Sequence, residues 1–308
     1  MRKFILALLL TPLMASAQEK LIKIMYSDPL QIQKFVTDQR DTTYLFANQN
    51  NTQGKVIAYF DSTFTKKALE CSFINGRKNG EYKSWHRNGI LKSVENFKDG
   101  IANGMVENWN VIGIKTFEAN YANGVEDGYF RNWYGNGVLK KERFYNMGAL
   151  EGFVKSFYVS GKKERLEFYD ANFGEVDGTD SAWFENGNLG HVKHYRLGVK
   201  DGSHLVYYEE GGKKLEMLYK SDKLDGITTS WTPDGKIYHI ITFQKNLPIK
   251  EERLYDNAVK AREVLFKTGT NIPAEWRYWN KKGEEISQKD APTFEGDIFV
   301  QPNIPQKK

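Results

Sequence analysis

The sequence predicts an all-β chain of tandem antiparallel β-hairpin repeats, about 24 residues each, forming an elongated twisted single sheet or solenoid. Three observations predict it: an internal repeat, Asn-Gly and Asp-Gly dipeptides at a fixed place within it, and hairpins that follow one another with no room for a helix. Segments beginning at Gly80, Gly104, Gly128, Gly152, Gly178, Gly202 and Gly226 start 24, 24, 24, 26, 24 and 24 residues apart. Five positions on stands an aromatic ladder of Trp85, Trp109, Trp133, Phe157, Trp183, Tyr207 and Trp231. Nine positions on stands a second glycine, and seventeen on a second aromatic: Phe97, Tyr121, Tyr145, Tyr169, Tyr195, Tyr219 and Phe243. Aromatics make up only 14% of the chain, so agreement in every unit at three offsets is not a product of composition.

The chain opens with Arg2 and Lys3, an apolar run from Phe4 to Leu10 and the small triplet Ala15-Ser16-Ala17, the three parts of a secretory signal over residues 1–17. Gln18 follows where a lipid-anchored lipoprotein would need cysteine. Residues 18–60 form an N-terminal cap region. In it Ser27-Asp28-Pro29 precedes Leu30, Ile32, Phe35 and Val36 in the pattern of a capped short helix, expected to close the open sheet edge. The array itself runs over 61–249.

Within the array, Asn88-Gly89, Asn136-Gly137, Asn186-Gly187 and Asp234-Gly235 fit a two-residue hairpin turn in which both residues take positive φ. Counting back from such a turn sets the offset-seventeen aromatic opposite the first glycine, where the ring covers bare backbone. A second, looser turn closes the unit, as in Lys98 to Gly104. Residues 250–290 hold degenerate repeats and a C-terminal cap. Lys250 to Thr270 has lost both glycines, which leaves strand and short helix open for Ala258 to Phe266. Residues 291–308, with Pro302 and Pro305, read as a loose tail.

Composition narrows the function classes. Lys and Arg number 44 against 39 Asp and Glu, a formal charge of +5, or +3 once Arg2 and Lys3 leave with the leader. That near-neutral, evenly mixed balance argues against nucleic acid as a partner. A single cysteine, Cys71, excludes a disulfide framework and reads as a small buried hydrophobe. No segment after the leader is long enough for a transmembrane span.

The pattern G-x-x-x-x-W-x-x-N-G-x-L, followed by an aromatic and x-x-G, resembles the bacterial variant of the MORN repeat found in YwqK-type antitoxin-like proteins. The resemblance covers Lys66 to about Phe243, and weakly as far as Gly283. It implies an antiparallel hairpin sheet used for protein or lipid contacts. The antitoxin role conflicts with the leader, because an exported protein does not meet a toxin acting in its own cytoplasm. Pro292 to Asp297 is similar to the opening of TonB-type C-terminal domains, with Glu295 where that pattern prefers proline; too few residues follow to build such a domain.

Catalytic chemistry is not expected. His191 and His194 form an H-x-x-H, but three-residue spacing on a strand turns the side chains to opposite faces. No nucleophile elbow, phosphate loop or H-E-x-x-H occurs, and no cofactor or metal is implied. Because a repeat fold needs the same core residue in every unit, the ladder reads as structural and binding is sought where units differ. Six positions after the first glycine the residues run His86, Asn110, Tyr134, Tyr158, Phe184, Tyr208 and Thr232. The central aromatics Tyr134, Tyr158, Phe184 and Tyr208 form a candidate binding patch facing away from the ladder. The expectation is an exported, non-catalytic scaffold, periplasmic or extracellular, that binds a protein partner in the envelope. Cell-wall or glycan binding, a lipid surface and the antitoxin-like role stand as alternatives.

Overall fold

In a computed structural model, the structure describes residues 21–25, 32–37 and 41–46 as backbone, and 54–170 and 175–292 in full. The secretory leader, the Ser27 to Leu30 part of the expected helix and the tail from residue 293 lie outside the described residues. Among the described residues there is no α-helix, only a short 3-10 turn at Gln288–Asp290. The chain divides into two compact units, Met1–Glu126 and Asp127–Lys308.

In the first unit, Gly54–Tyr59, Lys67–Ile74, Arg77–Trp85, Leu91–Lys98, Gly104–Trp109 and Lys115–Ala122 pair antiparallel in chain order. Leu21–Met25 lies parallel to Gly54–Tyr59, so a strand lies along that side of the hairpin. The expected helix gives way where it is described: Ile32–Thr37 is a strand paired with Asp41–Phe46. Ile32, Phe35 and Val36 suit a β-pair as well as one helix face, so a short apolar run does not separate the two. Val56, Ala58, Cys71 and Phe73 make a compact buried cluster, with Leu69 and Tyr82 packed against it.

The second unit is itself a meander that runs to Glu285–Ile286, its long strands paired antiparallel in chain order. Leu247–Leu254 and Lys260–Phe266 are strands, so the open stretch within 250–270 is resolved in favour of β. Ala258, at φ 62°, stands where other units place glycine.

The aromatic at offset seventeen does pair with the first glycine: Gly80 with Phe97, Gly128 with Tyr145, Gly202 with Tyr219 and Gly226 with Phe243. The loop that achieves this is not a two-residue turn. The Gly89 amide donates to the His86 carbonyl at 2.9 Å and the His86 amide to the Ile90 carbonyl at 2.8 Å, leaving a three-residue loop. Only its glycine takes positive φ, 87° at both Gly89 and Gly137, while the preceding Asn does not. This is a type I turn closed by a bulge glycine, a second hairpin solution that accepts Asn-Gly. The extra loop residue is offset by a bulge on the returning strand: Ser84 faces Ser93 but Trp85 faces Leu91, with Lys92 left over. One residue gained in the loop and one skipped in the strand restore the register.

The true two-residue turns lie at the other edge, in the segment expected to be looser. Asp99-Gly100, Asn123-Gly124, Met147-Gly148 and Leu197-Gly198 all have both residues at positive φ. Lys98 pairs directly with Ile101 across the first of them.

Candidate interaction surface

Paired residues share a sheet face, so the register sorts every side chain to one side or the other. One face carries offsets two, four, thirteen, fifteen and seventeen, and most of the buried side chains of the second unit lie there. Val154 and Ile241 are buried on it beside Glu167, Asp180, His204, Thr228 and His239. Asp180 accepts from the Arg165 Nε and Nη2 at 2.9 and 3.0 Å and lies 3.3 Å from His191 Nε2. Burial opposes ionisation of Asp180, but the His191 and Arg165 bonds outweigh it and hold the carboxyl at about 2. Glu251 is half-buried and is likewise held at about 2 by His239 at 2.9 Å and Arg262. These clusters tie neighbouring strands together.

The ladder sits on the opposite face, half-buried rather than enclosed. Lys115, which bonds Glu107 and Glu118, lies 5.9 Å from the Trp109 ring. Lys213 over Trp231 and Lys260 over Trp279, at 5.4 and 5.2 Å, cover the ladder ring of the next repeat instead. The lysine stem shields the indole and its ammonium sits over the π-face, so a thin sheet protects the ring without a second layer.

The candidate patch residues are also half-buried, and their polar ends are engaged. The hydroxyl of Tyr134 donates to the Phe157 carbonyl at 2.9 Å, Tyr158 to Trp183 at 2.7 Å and Tyr208 to Trp231 at 2.8 Å. Each clasps the ladder residue one repeat further on. Tyr255 does the same to Trp279 at 2.8 Å, and His86 Nε2 meets the Trp109 carbonyl at 2.9 Å. Phe184 has no hydroxyl; there Asn186 and Asn188 both donate to the Glu209 carbonyl at 2.8 Å. The turn asparagines add a parallel row of clasps, Asn88 to Val111 at 2.7 Å and Asn257 to Lys281 at 3.0 Å. Asparagine at these turns therefore supplies an amide that reaches the next repeat as well as fitting the loop.

His191 and His194 point to opposite faces, the first to Asp180 and the second 2.6 Å from the Ser203 carbonyl. Burial pushes the Cys71 thiol up to about 12, as befits a core side chain. Among the described residues no cluster of three or more His, Cys, Asp or Glu is placed to hold a metal, and no helix is long and apolar enough to cross a membrane.

A different set of aromatics is more open, two of them exposed and two half-buried. On the ladder face of the second unit, Tyr129 pairs with Phe144 and Phe153 with Phe168, the rings meeting edge to face at 5.2 Å in both pairs. The two pairs stand on neighbouring strands: Glu142 faces Lys155, and the Glu151 amide donates to the Phe144 carbonyl at 2.9 Å. Tyr129 is 48% exposed and Phe153 53%. At the same offsets, one and sixteen, other units place Thr179 with His194, Ser203 with Leu218 and Ile227 with Thr242. The sheet forms without aromatics there. Variation between units was sought in the sequence only at offset six, which passed over these two columns, where the same signal is visible.

Three stretches of the chain, residues 78–99, 126–147 and 224–245, match the MORN repeat variant. The chain carries MORN-variant repeats. Each matched stretch is one hairpin, ending at the first residue of a tight turn: Asp99, Met147 or Lys245. The repeats starting at Gly152, Gly178 and Gly202 lie outside the matched stretches and keep the same strand pairing. No curated protein matches the chain.

Proposed function

We propose that the chain is an exported, non-catalytic interaction scaffold of the cell envelope that holds a protein partner on the exposed aromatic row of its second unit. The row carries this reading. The exposed rings of Tyr129 and Phe153, each backed by a half-buried ring, leave apolar surface open to solvent in two successive repeats, where the repeat fold does not require it, and such surface is what interface cores are made of. MORN repeats as interaction modules support the same reading. A glycan is less well suited, because a sugar stacks on a flat ring face and these rings stand at 72° and 69° to one another. The leader, read from Arg2 to Ala17, supports export and weighs against a cytoplasmic antitoxin.

The test places a photo-cross-linking amino acid at Phe153 and, as a control, at Ser203, the same offset in another repeat. We expect a protein adduct from position 153 in the envelope fraction, none from 203, and a mature chain starting at Gln18. No adduct from 153 would remove the scaffold reading; an adduct confined to cytoplasm with Met1 retained would restore the antitoxin one.

A further inference from the structure

Ser93 is the one small residue at a position that is otherwise filled. At offset thirteen the other repeats carry Phe117, Lys141, Arg165, His191, Leu215 and His239. In the first unit Ser84 faces Ser93 and Ser93 faces Asn108, so three short side chains lie side by side across adjacent strands. The missing bulk leaves a cleft of about 330 Å³ over them, at the lower end of the size of small-molecule pockets. A smaller cleft of about 230 Å³ shares Ser84, His86 and Lys92 with it and extends it toward Phe60.

The lining is polar, and much of its hydrogen-bonding capacity is unused. The Ser84 and Ser93 hydroxyls bond each other at 2.7 Å, which uses one of their two protons and leaves the other to donate, although Ser93 is only 6% exposed. His86 Nε2 lies 2.9 Å from the Trp109 carbonyl; a carbonyl only accepts, so Nε2 carries the proton and Nδ1 is left as an acceptor. Lys92, Glu95 and the Asn108 side-chain amide line the same cleft, and among the described residues none of the three forms an ion pair or a side-chain hydrogen bond. On the same face of the second unit, by contrast, Asp180 is closed by Arg165 and His191, and Glu251 by His239 and Arg262.

A hydroxyl with a spare proton, an amide, an ammonium and a carboxylate in one cleft suit a ligand with several donors and acceptors and no net charge. An anion would meet Glu95 as a like charge, and a cation would meet Lys92. Lys92 and Glu95 stand three residues apart on one strand, roughly 10 Å along it, whereas the ammonium and carboxylate of an amino acid share one carbon. Sugar hydroxyls are spread around a ring, and each of them both donates and accepts.

We infer that this cleft binds a neutral pyranose, one sugar unit of a glycan. Its hydroxyls donate to Glu95 and accept from Lys92, Asn108 and the serine pair, and Tyr82 forms the apolar wall. Tilted rings told against a sugar on the aromatic row; the cleft lies in the other unit, uses none of those residues and stands or falls apart from the scaffold reading.

The experiment is a saturation-transfer NMR titration of the full chain with four neutral sugars: methyl glucoside, methyl galactoside, methyl mannoside and N-acetylglucosamine. Glucuronate and glucosamine serve as charged counterparts. At least one neutral sugar should bind saturably, and more tightly than either charged one. Glu95→Gln should weaken that binding about tenfold, as loss of a charge-assisted hydrogen bond does. Ser93→Leu installs the residue type that Leu215 supplies at offset thirteen of another repeat, and should fill the cleft and abolish binding. No saturable binding of any of the four, equal binding by the unaltered chain and Ser93→Leu, or a tighter fit for glucuronate or glucosamine would overturn the inference. Circular dichroism checks the fold of each variant. If Ser93→Leu does not fold, Glu95→Gln decides, and an unchanged affinity there overturns the inference as well.

Discussion

The hydroxyl of Tyr158 spends its proton on the Trp183 carbonyl, and that single bond changes what a substitution there should do. Tyr158→Phe keeps the ring and deletes only the clasp, so urea unfolding should show a loss of about 1 kcal/mol, the net worth of one hydrogen bond. A midpoint equal to that of the unaltered chain would mean that the clasp does not form in solution. Trp133→Ala should cost about 2 kcal/mol, less than the 3–5 typical of a fully enclosed aromatic, because the ladder is half-buried. The ladder was legible as a repeated structural position, and the sequence also placed the offset-six residues on the other face. Their engagement was not legible, since a tyrosine that clasps a carbonyl and one that awaits a partner are the same letter. Only the geometry of the next repeat tells them apart.

Hairpins show why register was readable when turn type was not. A two-residue turn, and a three-residue loop with one skipped strand residue, give the same pairing between Gly80 and Phe97. The aromatic–glycine pair therefore follows from spacing, whichever loop delivers it. At the tight turns, composition misled in the opposite direction: Met147 and Leu197 hold φ 48° and 50° although neither favours that region. Met147 is 70% exposed and gives up little packing if replaced. Met147→Asn should raise stability by about 1 kcal/mol by relieving the left-handed strain, visible as a higher thermal midpoint. A lower midpoint would show that the methionine side chain, not the backbone, sets the stability of that turn.

Across the whole chain the buried charges predict how stability follows pH. Asp180 and Glu251, each held at about 2, lie below the ordinary carboxylate values of 3.8 and 4.5. Their stabilisation, about 2 kcal/mol for Asp180 and about 3 kcal/mol for Glu251, is complete above those ordinary values and is lost as pH falls toward 2. His204 and His239 shift the same way for a different reason: burial disfavours the charged ring, even though His204 Nε2 lies 2.9 Å from the His194 carbonyl and His239 meets Glu251. The folded chain resists protonating them, so stability also declines as pH drops below their ordinary 6.5. Unfolding midpoints measured from pH 8 to 3 should fall first near 6.5 and again below 4.5; a flat profile from 8 to 5 would show that neither histidine is kept neutral by the fold. None of this was legible beforehand, because Asp180, His204 and Glu251 look like any solvated strand residue until the register turns them to the buried face.

The clasps between repeats have a consequence for how such a chain changes length over time. Asn186 reaches a carbonyl 23 residues ahead, at Glu209, and the residue in the same place one repeat later is Pro233, which presents the same kind of carbonyl. Excising a run of 24 residues, such as 204 to 227, would join Ser203 to Thr228 and hand each severed bond an equivalent acceptor. Removing an odd number would turn side chains to the wrong face, and removing part of a repeat would leave clasping donors facing the wrong residues. Growth and loss by whole units is thus the inexpensive path for this architecture, and recombination between hairpins of one length and register would leave few scars in the fold.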